Sequence, residues 1–336
     1  MANRDILAIG ASAGGFDALR FLANKFPKDF PASVLVVIHL PSQFPSELDA
    51  ILTKAGPLPA SFAKDGETMK RGHVYLAPRE RHLLVDGDRL QWGAGPRENN
   101  TRPAIDPLLR SAALCCGARA VGAVLTGTQG DGASGLQALK ACGGVTVVQD
   151  PSDAAFPEMP ATALNLAKPD HVVALAAMPA LFDKLARSPA GAARPVPGEI
   201  KYEVEIARSG RATMTDMDRI GRRSVLACPD CHGVMWEIDD DNLVRYRCHV
   251  GHAYTAELMG VALEENLSRA LGSALRALEE RVSLAERLGE QARAQGRAHV
   301  QQSWLEKRQE FAKEAQVIRD AIRRIDELAV AAGKAR

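Results

Sequence analysis

The sequence predicts an α/β protein built on a doubly wound, mostly parallel sheet, followed by a small cysteine- and histidine-bearing module and a helical tail. Three observations predict it. Up to about residue 187, short apolar runs alternate with helical patterns, as in a sheet covered by helices on both faces. Farther on, Cys228-Pro229-Asp230-Cys231 is followed by Cys248-His249-Val250-Gly251-His252, with a strand-like stretch on either side of an acidic turn between them. Beyond that, apolar residues step by three and four along two long segments.

Composition sets the bounds. The chain has 336 residues, 46% of them hydrophobic and 25% charged, which is ordinary for a globular protein. A net charge of +1 offers no field for nucleic acid or an anionic membrane surface. No run of about 18 apolar residues occurs, so no membrane span is expected. Met1-Ala2-Asn3-Arg4-Asp5 leads straight into a strand without a signal-peptide segment. Six cysteines do not make a disulfide scaffold, so reduced thiols and a cytoplasmic location are expected.

Four segments follow in order: a sheet domain over 1–187, a linker over 188–222, the Cys/His module over 223–256 and a helical tail over 257–336. Candidate strands are Ile6–Ile9, Val34–Ile38, His73–Leu76, His82–Val85, Ala120–Leu125, Val145–Val148 and His171–Ala174. Candidate helices are Phe16–Lys25, Ser46–Lys54, Ile105–Cys115, Gly132–Ala141 and Pro160–Leu166. The Asp86-Gly87-Asp88 turn suggests a small antiparallel excursion. Pro189, Pro195 and Pro197, set among small residues, mark the linker. In the tail, Leu267, Leu271, Leu275 and Leu278 begin one stripe and Trp304, Phe311, Ile318 and Ile322 another, with Gly296 between them. The tail therefore reads as an antiparallel helical hairpin or a dimerising coiled coil, a surface for self-association or for a signalling partner.

The first strand runs into Gly10-Ala11-Ser12-Ala13-Gly14-Gly15, a tight turn before a helix. Ser12 at its tip lies beside the N–H groups of a helix start, which can stabilise an oxyanion. Three readings of the turn stand side by side: a nucleophile turn, a phosphate cradle and a plain tight turn. A dinucleotide fingerprint is only nearly matched. Ser12 replaces the second glycine, and Asp29, the nearest acid for a ribose, sits in a turn rather than at a strand end. A serine nucleophile needs a base and a group to orient it. His39 follows the Val34–Ile38 strand, and Asp131 follows Ala120–Leu125 within a glycine-rich turn. Three strand ends would thus bring Ser12, His39 and Asp131 to one edge as nucleophile, general acid/base and orienter. Taken singly, Asp131 also suits a helix N-cap and His39 an ordinary loop.

With these motifs, residues 1 to about 187 resemble the catalytic domain of the chemotaxis protein-glutamate methylesterases, the CheB type. The resemblance rests on Gly10–Gly15, His39-Leu40-Pro41, Leu125–Ala133, Arg102-Pro103-Ala104-Ile105-Asp106 and Gly72–Pro78, in family order. It implies a doubly wound domain and hydrolysis of glutamate γ-methyl esters on methylated chemoreceptor-like proteins, in some members with glutamine deamidation. It implies a triad of Ser12, His39 and Asp131, and oxyanion donors from the backbone N–H groups of Ala13 and Thr128. No cofactor is expected for catalysis. Ala13 and Thr128 stand where the family often has threonine and methionine. Family members usually carry an N-terminal receiver domain, and this sequence opens on the catalytic domain, so gating is expected from the C-terminal parts or another chain. An idle fold serving as a signalling adaptor is the alternative.

Cys228, Cys231, Cys248 and His252 would supply three thiolates and one imidazole, a closed set suited to structural zinc in a zinc-ribbon-like module. His249 is the other candidate for the fourth ligand; three intervening residues let His252 turn back toward the metal. Such a segment is too small for a core of its own, so metal is expected to supply its stability. Cys115, Cys116 and Cys142 read as buried thiols.

Overall fold

The computed structural model describes residues 2–39, 47–192, 194–240 and 243–334. The chain divides into two compact units, Met1–Met259 and Gly260–Arg336.

In the first unit, β1 (Ile6–Ala11), α1 (Gly15–Lys25), β2 (Ser33–Ile38), α2 (Leu48–Ala55), β3 (Ala60–Phe62) and β4 (Val74–Leu76) come first. A hairpin of β5 (His82–Asp86) and β6 (Arg89–Gly93) turns at Gly87, as the Asp-Gly-Asp signal suggests. Next are α3 (Ile105–Cys116), β7 (Ala120–Val124), α4 (Ala133–Ala141), β8 (Val145–Gln149), α5 (Glu158–Ala167), β9 (His171–Val173) and α6 (Met178–Arg187). Seven strands form one sheet in the order β3-β4-β2-β1-β7-β8-β9, with every pairing parallel. The expected doubly wound sheet is present.

The apolar runs are continuous because both faces of the sheet are buried. Ile6 and Ala8 of β1 and Leu35 and Val37 of β2 face a core shared with α3, α4 and α5. Leu7, Ile9 and Ala11, with Val34, Val36 and Ile38, face the opposite core beneath α1, α2 and α6. The strand β3, three half-buried residues at the sheet edge, has too short a run to be read from sequence. Ser46, proposed as a helix start, lies outside the described residues, as does the 241–242 part of the acidic turn.

The stretch taken as linker is corrected by the structure. It contains α7 (Gly198–Ser209) and α8 (Met214–Ile220). Ile200, Val204 and Ala207 are buried at helical spacing, and α8 starts on a capping box of Thr213 and Asp216. Next comes an antiparallel sheet of β10 (Arg222–Ala227), β11 (Val234–Asp240), β12 (Leu243–Cys248) and β13 (Ala253–Thr255). Its core is not its own. Trp236 and Ile238 of β11 pack with Ile206 of α7 and Met217 and Ile220 of α8. The two helices thus supply apolar cover that the ribbon's own short strands lack.

α9 (Ala256–Ala294) and α10 (Ala298–Lys334) account for the tail. In the second unit these helices fold back on one another across Gly296, which takes φ +70°. Arg319 Nη2 donates to Glu279 Oε1 at 2.8 Å, and the Arg281 guanidinium lies over the Phe311 ring. An intrachain hairpin is formed; Leu267 of the first stripe stays exposed, as do Leu284 and Val317 outside the stripes.

Candidate active site

Strand order decides where the chemistry gathers. β1 lies between β2 and β7, with Ala11 level with Ile38 and Gly10 level with Val124. The three carboxyl ends therefore open on one edge, where the connections leave β1 in opposite directions. In open α/β sheets this switch point is the place of ligand crevices.

Ser12 follows β1 directly. Its N–H donates to Thr126 O at 3.0 Å, and its carbonyl accepts from Gly15 N at 2.8 Å. Gly14 takes φ +74° to start α1. Thr126 Oγ1 donates to Ala13 O and accepts from Phe156 N, stitching the β1 and β7 turns together. Gly127 is needed for close approach, since a Cβ there would come within 2.7 Å of Ser12 Cβ. Thr128 sits exposed in the same loop.

His39 continues the β2 pairing through its N–H to Ala11 O at 3.1 Å. Its Nε2 lies 3.0 Å from Asp131 Oδ2, and the Asp131 side chain is 1% exposed. Beside His39 is a cleft of about 210 Å³ lined also by Glu80, Arg97, Asn100 and Arg102.

Asp131 does not cap α4, the helix it precedes. It caps α3 instead: Ile105 N donates to Oδ2 at 2.6 Å and Asp106 N to Oδ1 at 3.1 Å. Asp106, within α3, returns the exchange by accepting from Gly132 N and Gly135 N at the start of α4. Asn99 Nδ2 bridges the two acids, donating to Asp106 Oδ2 and Asp131 Oδ1. Burial alone would raise the Asp131 pKa, but the His39 hydrogen bond and charge, with the Ile105 N–H and Asn99, hold it below the usual carboxylate range. For Asp106, burial and the neighbouring Asp131 charge push the carboxyl up to about 7. Two adjacent carboxylates in one dry site thus divide their roles, and Asp131 carries the charge.

Sequence reasoning missed Asn99, Asp106 and a buried charge network behind them. Glu98 accepts from Arg110 and from both terminal nitrogens of Arg247. Glu203 of α7 meets Arg110 Nε at 3.1 Å and Arg245 Nη1 at 2.7 Å. Burial would raise both acids, yet the arginines hold Glu98 and Glu203 below their ordinary range. The only sequence signal was the Arg102–Asp106 motif. His73 and His82 are bound internally, His73 Nε2 to Ser61 Oγ and His82 Nε2 to Pro96 O.

In the ribbon, the Sγ atoms of Cys228, Cys231 and Cys248 and one ring nitrogen of His252 all lie within 4.8 Å of one another, an arrangement able to hold a metal ion. His252 Nδ1 is 3.6 Å from Cys228 Sγ and 3.5 Å from Cys248 Sγ, and the Cys231 and Cys248 sulfurs are 3.6 Å apart. His252 Nε2 points back toward Asp230 at 3.8 Å.

Residues 7–182 match a family model described as CheB methylesterase. A Xanthomonas oryzae protein named protein-glutamate methylesterase/protein-glutamine glutaminase 2 is 40% identical over 174 residues, which is 51% of this chain and 48% of that one. A Leptospira interrogans protein named putative protein-glutamate methylesterase/protein-glutamine glutaminase is 35% identical over 184 residues, 54% of this chain and 95% of that one. Among solved structures, the Thermotoga maritima CheB methylesterase catalytic domain aligns with TM-score 0.52 at 30% identity, covering 55% of this chain and all of that one. The chain spans about half the length of its Xanthomonas relatives. Among the described residues, no helix is long and apolar enough to cross a membrane.

Proposed function

Because the chain belongs to the CheB methylesterase family, we propose that it hydrolyses glutamate γ-methyl esters on chemoreceptor-like proteins in a chemotaxis-type pathway, with Ser12 as nucleophile. The observation that carries this is the His39–Asp131 contact at the carboxyl edge of the sheet, beside the Ser12 turn. Asp131 engages Nε2, which leaves Nδ1 as the ring nitrogen free to take the Ser12 proton. Ser12 Oγ then attacks the ester carbonyl. Backbone N–H groups of Ala13 and Thr128 stabilise the oxyanion. His39 returns the proton to the departing methoxide, methanol leaves, and water cleaves the acyl-enzyme by the same route. A glutamine side chain would lose ammonia in the same steps, in keeping with the double name of the relatives. An idle adaptor is not favoured, since the His39–Asp131 pair is fully assembled.

The Cys228, Cys231, Cys248 and His252 group we read as a structural zinc site. A tetrahedron with Zn–S of about 2.3 Å and Zn–N of about 2.1 Å has edges of roughly 3.5 to 3.8 Å. The 3.5 and 3.6 Å separations agree with those edges. Asp230 behind His252 is the kind of carboxylate that orients a ligating imidazole. Exposed Leu267, Leu284 and Val317 on α9 and α10 offer a surface for self-association or a signalling partner.

The test is methanol release from methylated receptor helices by the wild type and by Ser12→Ala. Release that requires Ser12 supports the esterase. Equal release from both would refute it.

A further inference from the structure

Glu98 and Asn99 connect the ribbon with the carboxylate pair. Asn99 is 3% exposed. On one side its Nδ2 donates to Asp131 Oδ1 at 3.1 Å and to Asp106 Oδ2 at 3.0 Å. On the other, its Oδ1 accepts from Thr255 N at 3.3 Å, and its own N–H donates to Ala253 O at 2.8 Å. Ala253 and Thr255 are the two ends of β13, and β13 begins immediately after His252. Asn99 holds φ +49° and Asn100 φ +62°, left-handed conformations that asparagine tolerates but that need partners to persist.

Glu98 is tied to the same part of the ribbon. Arg247 grips its carboxylate with both terminal nitrogens, at 3.0 and 2.9 Å. Arg247 Nη1 also donates to Gly251 O at 2.9 Å, and Gly251 N donates to Cys248 O at 2.9 Å. Cys248 N in turn donates to His252 O at 3.0 Å. A continuous path of hydrogen bonds thus runs from the Cys248–His252 loop through Arg247 and β13 to Glu98 and Asn99, and on to Asp131 and His39.

We propose that Asn99 is a positioning residue for the His39–Asp131 pair, and that the ribbon, closed by its metal, holds Asn99 in register so that metal occupancy sets the rate of the esterase. This rests on the hydrolytic reading of Ser12, His39 and Asp131 above. A carboxylate bound by donors on both oxygens has one orientation. Without the Asn99 donor, Oδ1 keeps only the Asp106 N–H, and the carboxylate is less firmly held against Nε2. The ribbon can bias this arrangement because a metal-ligand loop has two states, ordered when loaded and loose when empty. Both ends of the path then act on one bistable segment, which is the physical requirement for coupling.

The experiment uses the full chain and three readouts: zinc content, the rate at which a serine-reactive phosphonate labels Ser12, and the titration of the His39 ring followed by NMR. None of these needs an ester substrate, and methanol release is followed beside them. Stripping the metal from wild type with a chelator should slow labelling about tenfold and move the His39 titration, and added zinc should restore both. Asn99→Ala should keep its zinc. Its kcat for methanol release should fall about tenfold with KM within about twofold, and stripping its metal should slow labelling by less than a further factor of about two. Such non-additivity marks one shared path. An unchanged labelling rate and His39 titration after metal removal would overturn the proposal. So would an equal loss on chelation in wild type and Asn99→Ala, or a chain that purifies without metal and labels at full rate. Normal labelling without methanol release from any receptor helix would count against the ester substrate instead, and the labelling arms would still decide the role of Asn99.

Discussion

Arg247 and Glu98 lie 149 positions apart, yet they form a buried bidentate pair, Nη1 to Oε1 and Nη2 to Oε2. The pair joins a ribbon strand to the segment that leads into α3. Arg110, Arg245 and Glu203 complete the cluster, so sheet domain, α7 and ribbon share one set of buried charges. Such clusters contribute little over an apolar core while intact, but losing one member is costly because the others remain buried.

Glu203→Leu should therefore destabilise the first unit by about 3 to 5 kcal/mol, measured by urea unfolding. Exposed Glu205 on the same helix is the control, and Glu205→Leu should change stability by less than about 0.5 kcal/mol. Similar losses for the two would show that the buried cluster does not hold α7 in place.

Asp131→Asn should lower methanol release on the order of a thousandfold, less than Ser12→Ala, because the acid orients His39 without joining the bond changes. The fold should also weaken by about 1 to 3 kcal/mol. Donors from His39, Asn99, Ile105 and Asp106 all point at this side chain, and an amide must turn its NH₂ toward at least one of them. Combined with Ser12→Ala, the activity losses should not add.

Burial pushes the His82 pKa down, so the folded protein resists protonating it. Between that lowered value and the free imidazole's ~6.5, the unfolded chain binds more protons than the folded one. Stability from neutral His82 is thus full above about pH 6.5 and lost as pH falls. His82→Gln retains a donor for Pro96 O and an acceptor for Ala104 N, the two bonds His82 makes, but cannot take up a proton. The stability advantage of wild type over this variant should shrink between pH 7.5 and 5.5 in urea titrations. An advantage that grows on acidification would contradict the sign.

How much of this was legible in sequence follows from where each residue sits. Ser12, His39 and Asp131 stand at the ends of uninterrupted apolar runs, and a parallel sheet aligns such ends whatever the loops do. Asp106 could not be read in the same way, since the N–H groups it caps belong to α4, 26 and 29 positions on. Glu203 sits among Glu199 and Glu205, which are exposed. Only the arrival of Arg110 and Arg245 from other elements separates it from them. Three prolines before α7 gave the stretch a linker's composition, although its apolar spacing was helical. The clustering of Cys228, Cys231, Cys248 and His252 was readable from spacing; the ribbon's borrowed core was not, because Ile206, Met217 and Ile220 precede it in a segment with no ribbon signature.

On the structural-zinc reading of the Cys228, Cys231, Cys248 and His252 group, Cys231→Ser should purify without zinc, assayed by metal analysis. Buried Trp236, whose indole N–H donates to Asp218, should then show red-shifted emission as the ribbon loosens. Retention of stoichiometric zinc by this variant would remove Cys231 from the ligand set.

The exchanged caps of Asp131 and Asp106 also govern how this part of the molecule breathes. Neither α3 nor α4 can slide or fray at its start without releasing N–H groups of both, since each helix holds the carboxylate that closes the other. The amides of Ile105, Asp106, Gly132 and Gly135 should thus exchange with deuterium at one common rate, as a single cooperative opening in which His39 loses its carboxylate partner at the same instant.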